Sequence, residues 1–83
     1  MSTEDTKKHL RTFIAQQLLR GDDTGLDEQT PLLELGIVDS MGIMELTTFV
    51  EKQFGVTIPQ GELSAANFAS IDALSRLVLR LRR

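Results

Sequence analysis

The chain has 83 residues, of which 41% are hydrophobic, and its 12 acidic and 9 basic side chains give a net charge of -3. A chain of this length buries only a modest core, so we expect one domain over residues 1–83. It contains no cysteine, which excludes disulfides and thiolate metal sites. No apolar run is long enough for a membrane span or a signal peptide, and we therefore expect a cytoplasmic, monomeric protein that does not associate with a membrane.

Charge is segregated along the sequence. Residues 1–20 and 76–83 are net basic, whereas residues 21–75 contain ten acidic side chains and one base, Lys52. Terminal arginines complement a helix dipole, and acidic residues are common in solvated loops. The acidic excess of residues 21–75 would also attract a basic protein partner and repel nucleic acid, so we expect no nucleic-acid binding.

A first helix is predicted to begin between Thr3 and Thr6 and to stop at Gly21. Leu10, Phe13, Ile14, Gln17 and Leu18 follow helical spacing. His9 has neither a second histidine nor a cysteine to join it, so we expect no metal site and no catalysis there.

A long connection is predicted over residues 21–39. It begins with two short look-alikes, an adhesion tripeptide at Arg20-Gly21-Asp22 and an aspartic-protease triplet at Asp23-Thr24-Gly25. Both lack the surrounding structure that those functions need. Because leucine recurs through the connection, we expect it to pack on the core through Leu26, Leu32, Leu33 and Leu35.

A second helix is predicted from Ser40 to Phe54, with Gly55 as its stop. By residue type Ser40 is the expected cap, because a serine hydroxyl accepts the free N–H groups of a first turn. The same helix end favours an anion such as a phosphodiester. One apolar row at spacings of three and four is expected to face the core: Ile43, Leu46, Val50 and Phe54.

A second row on this helix begins beside Ser40, with Met41 and Met44 continued by the polar Thr48. One row is enough to dock a surface helix on a core, so the second row is left over. Methionine is ordinary core filler, and it is also frequent on surfaces that bind several partners. Periodicity alone leaves both interpretations open.

The last part of the sequence predicts a short helix from Pro59 to about Ala66 and a final helix capped by Ser70. The apolar face of that final helix is expected to contain Ile71, Leu74, Leu77 or Val78, and Leu81. Together the elements predict an all-α fold, a small four-helix bundle. It has three main helices, one short helix and a long loop between helices one and two.

Three runs of the sequence resemble acyl and peptidyl carrier proteins, and together they cover nearly the whole chain. They are LLELGIVDSM at 32–41, FGVTIP at 54–59 and NFASIDAL at 67–74. In that family the serine of an Asp-Ser-Leu or Asp-Ser-Met triplet carries a 4'-phosphopantetheine arm whose thiol holds cargo as a thioester. The resemblance therefore implies a covalent phosphopantetheine on Ser40, with Asp39 supporting it.

The resemblance also implies a carrier without catalytic residues. A phosphopantetheinyl transferase would move the arm from coenzyme A to Ser40 using magnesium. An adenylating or acyl-transferring enzyme would load the thiol, and tailoring or condensing enzymes would use the cargo. The docking surface for these partners would consist of Met41, Met44, Glu45, Thr48 and Glu51.

The run Ser40-Met41-Gly42 resembles D-alanyl carriers and the stand-alone carriers of secondary metabolism more than fatty-acid carriers, whose second helix is more acidic. The expected function is a discrete carrier of an aminoacyl or other acyl group in nonribosomal peptide or polyketide biosynthesis. A D-alanyl or fatty-acid carrier is the alternative.

Gly42 lies near the start of the predicted second helix, where a glycine costs about 1 kcal/mol relative to alanine. Two explanations are open. Either a partner or the arm approaches the backbone closely at Gly42, or the first turn of a helix simply tolerates a glycine.

A different class also fits the pattern. A cofactor-free helical interaction module would use the same methionine-bearing face as a binding groove and leave Ser40 unmodified. A hydrolase is disfavoured, because the sequence offers no nucleophile, base and orienting residue together.

Overall fold

The structure is a computed structural model that describes residues 3–21 and 25–82. These residues form helices α1 (Thr3–Leu18), α2 (Ser40–Phe54) and α3 (Ile71–Leu81), with a single 3₁₀ turn (Gln60–Glu62) before α3. The described ranges contain no strand, and the predicted all-α fold with a long first loop is confirmed. Asp22, Asp23 and Thr24, which carry parts of the two look-alike motifs, lie outside the described residues.

Helix α1 packs on the bundle through the apolar members of the predicted row, and Gln17 is exposed. Leu10 and Ile14 are completely buried, and Phe13 is half-buried at the edge of the core. Helix α1 ends at Leu18, three residues before the predicted stop. Arg20 and Gly21 follow in the left-handed region, with φ of 56° and 87°, and the Gly21 N–H donates to the Ala15 carbonyl at 2.7 Å. Gly21 therefore closes the turn that follows the helix.

The loop between α1 and α2 is packed, as expected, through Leu26 and Leu32, which are 3% and 0% exposed. The Leu32 N–H donates to the Ala69 carbonyl at 2.8 Å, which fixes the loop to the segment before α3. The prediction for Leu35 was wrong, since this side chain is 63% exposed. Its N–H donates to the Pro31 carbonyl at 3.0 Å, so the chain turns back on itself here and leaves the Leu35 side chain in solvent.

Helix α2 contributes the predicted row to the core. Leu46 and Val50 are fully buried, Phe54 is 8% exposed, and Ile43 is partly buried at the edge. The helix ends where Gly55 adopts a φ of 66° and donates its N–H to the Glu51 carbonyl. Burial of this apolar row makes the opposite side of α2 face outward. The packing of the row therefore positions the candidate site.

The segment before α3 differs in part from the prediction. The short helix is only one 3₁₀ turn, Gln60–Glu62, and the chain reaches the buried Phe68 through non-helical turns. Ser70 caps α3 as expected, because its Oγ accepts the Ala73 N–H at 3.1 Å. The predicted apolar face of α3 is confirmed in Ile71, Leu74, Leu77 and Val78, all at most 1% exposed.

An ion-pair network joins α1, the long loop and α3. Lys7 Nζ lies 2.5 Å from a Glu28 carboxylate oxygen and 3.5 Å from Asp72 Oδ1. The Asp72 N–H donates to the Glu28 carbonyl at 3.0 Å, and Arg76 pairs with Asp72 at 2.8 Å. The hydrogen bond from Lys7 to Glu28, aided by the negative charges of Glu28 and Asp72, raises the pKa of Lys7.

This network predicts a loss of stability at alkaline pH. A raised pKa in the folded state contributes stability that is complete below the ordinary value of 10.5 and disappears as the pH rises through the raised value. The chain has no tyrosine or cysteine to titrate in the same range. We therefore expect the urea midpoint of the wild type to fall more steeply between about pH 10 and about pH 12 than that of Lys7→Met. Parallel declines would contradict the role given to Lys7.

Candidate functional site

The site begins at the junction between the long loop and α2, where Asp39 has an extended backbone with φ -110° and ψ -166°. Its Oδ1 accepts the Gly42 N–H at 2.9 Å, and its carbonyl accepts the Ile43 N–H at 2.9 Å. Asp39 is therefore the N-cap of α2, and the prediction that Ser40 caps the helix was wrong. An aspartate caps as well as a serine, so the preceding residue satisfies the helix end and the Ser40 hydroxyl is not needed there.

Ser40 is the first residue of α2 and its side chain is exposed. At this position the partial positive charge of a helix N-terminus favours an attached or bound anion. The hydroxyl is thus both accessible to another protein and placed where a phosphodiester is electrostatically favoured. These residues fit a phosphopantetheine arm.

Gly42 is explained by the chain itself. A Cβ at this position would lie 3.3 Å from Val38 Cγ1 and 3.5 Å from Asp39 Oδ1. Val38 is 1% exposed and belongs to the core, so it has little room to move away. The close approach at Gly42 is made by the buried end of the loop, which allows Val38 to enter the core two residues before the exposed Ser40.

The structure decides between the two interpretations of the methionines. Met41 and Met44 are 70% and 71% exposed, and Glu45 and Thr48 are exposed as well. Periodicity allowed a core role, but the core side of α2 is already filled by the other row. These four residues lie together along one side of an open groove between α1 and α2.

This groove, which we call the α1–α2 groove, has a volume of about 670 Å³. Its lining is mainly apolar and includes several polar side chains. The residues that line it are Phe13, Gln17, Met41, Met44, Glu45, Thr48, Phe49, Lys52 and Gln53. Sequence reasoning missed Phe13 and Phe49, whose rings stack with centroids 4.3 Å apart, because a pairing between two helices leaves no signal in the periodicity of either helix.

Glu51, the remaining residue of the predicted docking set, lies apart from the groove lining. Its side chain is half-buried, and its Oε2 accepts the Ile58 N–H at 2.8 Å. It therefore holds the loop that follows α2. His9 is half-buried with its ring edge-on to Phe54, and no cluster of metal-ligating side chains occurs within residues 3–21 and 25–82.

Comparisons with known proteins identify the family of this chain. Residues 8–78 match the family described as the phosphopantetheine attachment site. Over 73 residues the chain is 46% identical to the probable acyl carrier protein PigG of a Serratia species, which covers 88% of this chain and 84% of that protein. It is 35% identical over 72 residues to aminoacyl carrier protein 1 of Bradyrhizobium diazoefficiens, covering 87% of this chain and 76% of that one.

A chain in the crystal structure of an FAD-dependent dehydrogenase has the same fold. The two superpose with a TM-score of 0.77 and 40% identity, over 83% of this chain and 97% of that chain. The helical fold, the exposed serine that follows the Asp39 cap and the matched sequences together define a carrier of covalently attached groups. The chain belongs to the phosphopantetheine-attachment family of acyl carrier proteins.

Family membership fixes the general biochemistry. The cofactor is 4'-phosphopantetheine, and the protein is a carrier that serves as the substrate of modifying and loading enzymes. None of the helices in the described part of the chain is long and apolar enough to cross a bilayer.

The capping geometry predicts unequal effects of two neighbouring substitutions. We expect Asp39→Ala to lower the free energy of unfolding by about 1 kcal/mol, because it removes the acceptor of the Gly42 N–H. Ser40→Ala should change it by less than about 0.5 kcal/mol, as usual for an exposed residue without a structural role. Urea unfolding of both variants checks this, and a larger loss in Ser40→Ala would restore Ser40 as the cap.

Proposed function

We propose that Ser40 carries the phosphopantetheine arm and that the chain is a discrete, single-domain carrier of an aminoacyl or other small acyl group for secondary-metabolite biosynthesis. The observation that carries the proposal is the exposed Ser40 hydroxyl at the start of α2, between the Asp39 cap and the exposed Met41. The similarity to short proteins named acyl and aminoacyl carriers supports a discrete carrier.

In this proposal each residue of the junction has a physical task. Asp39 holds the first turn of α2 through the Gly42 N–H, so the Ser40 oxygen is presented at a fixed place on the surface. The positive end of the helix dipole favours the phosphodiester once it has formed. The bound arm supplies a thiol that holds the acyl group as a thioester. A transferase that uses coenzyme A and magnesium is the proposed source of the arm.

The proposed docking surface for partner enzymes is the exposed row of Met41, Met44 and Thr48. Flexible methionine side chains let one surface fit several partners, and Glu45 adds a charge that steers a basic partner. Glu51 adds a second negative charge for steering, while its carboxylate accepts the hydrogen bond from the Ile58 N–H. The exposed Leu35, which sequence reasoning placed in the core, adds an apolar side chain on the preceding loop.

The proposed loading partner is an adenylating enzyme with a small acid as its substrate. Helix α2 has only two acidic residues, Glu45 and Glu51, and Lys52 opposes them. A fatty-acid carrier, the alternative, is expected to rely on more acidic charge to meet many basic partners. An apolar docking row suits fewer and more specific contacts, and the similarity to an aminoacyl carrier supports this assignment.

An oxidising enzyme is the proposed downstream partner. The match to the chain in the FAD-dependent dehydrogenase structure covers 83% of the present chain and 97% of that other chain. The chain in the dehydrogenase structure is therefore itself about the size of a carrier protein. We therefore propose that a flavin-dependent dehydrogenase acts on the acyl group while the arm holds it.

The attachment site is tested by intact mass. After incubation with coenzyme A, magnesium and a broad-specificity transferase, we expect the wild type to gain the mass of one phosphopantetheine and Ser40→Ala to gain none. A circular dichroism spectrum of the variant controls for folding. An unchanged wild-type mass, under conditions that modify a known carrier, would favour the cofactor-free interaction module instead.

The division of α2 into two faces is tested by a pair of substitutions. Met44→Glu places a charge on an exposed side chain, so we expect transfer or loading to slow at least tenfold while the unfolding midpoint hardly changes. Leu46→Ala removes a fully buried side chain and should cost about 2 to 5 kcal/mol of stability. If Met44→Glu unfolds the domain and Leu46→Ala is silent, the two faces have been assigned the wrong way round.

The cargo class is tested by loading assays on the pantetheinylated protein. We expect a thioester to form with an amino-acid-adenylating enzyme and ATP, detected as a mass increase equal to one aminoacyl group. A malonyl-transferring enzyme of fatty-acid synthesis provides the comparison. Efficient malonyl loading and elongation, with no acceptance from any amino-acid-adenylating enzyme, would assign the protein to fatty-acid synthesis.

A further inference from the structure

Helix α2 has an outward stripe that the described part of its own chain leaves uncovered. Apart from Ser40, every exposed residue of α2 lines the α1–α2 groove: Met41, Met44, Glu45, Thr48, Lys52 and Gln53. The half-buried, stacked rings of Phe13 and Phe49 line the same groove. An exposed apolar patch with polar residues around it marks an interaction site, and the charges in the stripe indicate what binds there.

The stripe contains one acidic and one basic residue, Glu45 and Lys52. They are seven residues apart, so they lie on the same side of α2 and about 10 Å apart along its axis. This separation is too long for an ion pair between them. In the part of the chain that the structure describes, neither side chain takes part in a salt bridge. Both charges are therefore open to a partner.

We propose that two copies of this chain associate through α2, with the two helices antiparallel about a two-fold axis at Thr48 and Phe49. Because this axis lies midway between Glu45 and Lys52, Glu45 of each copy faces Lys52 of the other. A two-fold contact uses the same patch on both copies, so the patch must be complementary to itself. The monomer predicted from the sequence is then the form at low concentration.

The same register also pairs the apolar side chains. It places Met44 of one copy opposite Gln53 of the other, one helical turn from Phe49, where a thioether packs favourably on an aromatic ring. Thr48 is the exposed side chain of α2 nearest the axis. Because it is small, the two helices can approach to the usual distance of about 8 to 10 Å. The contact therefore combines two ion pairs with an apolar centre.

Both copies of Ser40 stay outside this contact. Each lies about 13 Å along α2 from the axis, on opposite sides, so the two serines are about 25 Å apart along the helices. Met44 and Thr48 are covered instead. Self-association and the proposed docking of a partner enzyme on this row therefore exclude each other, whereas the association itself does not depend on the proposed attachment at Ser40.

Sedimentation equilibrium of the unmodified protein tests the association. Small interfaces belong to the weak, transient end of protein association, so the measurement extends from about 20 µM to about 1 mM protein. We expect the weight-average mass to rise from that of one chain toward that of two chains over this range. A mass of one chain at every concentration would overturn the inference.

Charge variants identify the surface. Lys52→Glu opposes acid to acid at both contacts, so we expect the dissociation constant of the dimer to rise about tenfold or more. The double variant Glu45→Lys with Lys52→Glu exchanges the two charges and keeps the net charge of the wild type, and we expect it to associate within about threefold of the wild type. Arg82→Glu, on an exposed residue that follows α3, is the matched control for net charge and should associate like the wild type.

Three outcomes with these variants would overturn the inference. They are a dimer that persists unchanged in Lys52→Glu, a double variant that does not recover, and an equal weakening in Arg82→Glu. Circular dichroism shows that each variant is folded before its mass is measured. The gain of a phosphopantetheine by Ser40 is followed separately by intact mass, so failure of the dimer and failure of the proposed attachment are distinguished.

Discussion

The cap that Asp39 places on α2 is the interaction on which the candidate site depends. The hydrogen bond from the Gly42 N–H to Asp39 Oδ1 determines where the helix starts. Directly before it, Val38 enters the core over a glycine that has no side chain to block it. Three consecutive residues are thereby placed as a buried anchor, a cap and an exposed serine, and the serine can be reached from outside while its backbone belongs to the first turn of α2.

The same start determines what the rest of α2 presents. Once Ser40 is the first helical residue, the period of 3.6 residues directs Leu46 and Val50 into the core and Met41 and Met44 outward. The hydroxyl and the exposed methionines, which form the proposed docking row, therefore share one surface. The ion pairs of Lys7 and the Ala69 carbonyl hold the loop before the cap against α1 and α3, so the junction has a fixed base.

Most of the fold could be predicted from the sequence, because the helices here are amphipathic and bounded by caps and glycines. Gly55 ends α2 and Ser70 begins α3, as their residue types suggest. Two errors came from turn geometry and from neighbouring residues that compete for one role. Leu35 was predicted to be buried, but it lies in a tight turn that faces solvent, and Ser40 was predicted to cap α2 although the adjacent Asp39 does so. The groove could not be predicted, since it depends on how two helices separate in space.

The central claim is that Ser40 is the residue that holds the arm, and peptide mapping of the modified protein tests it most directly. Trypsin cleavage after Arg20 and Lys52 produces a fragment of residues 21–52 that contains Ser40 and several threonines. Fragmentation of this peptide by tandem mass spectrometry locates the added group. We predict that the phosphopantetheine is found on Ser40 alone. Its location on another hydroxyl, or on a fragment outside residues 21–52, would contradict the account.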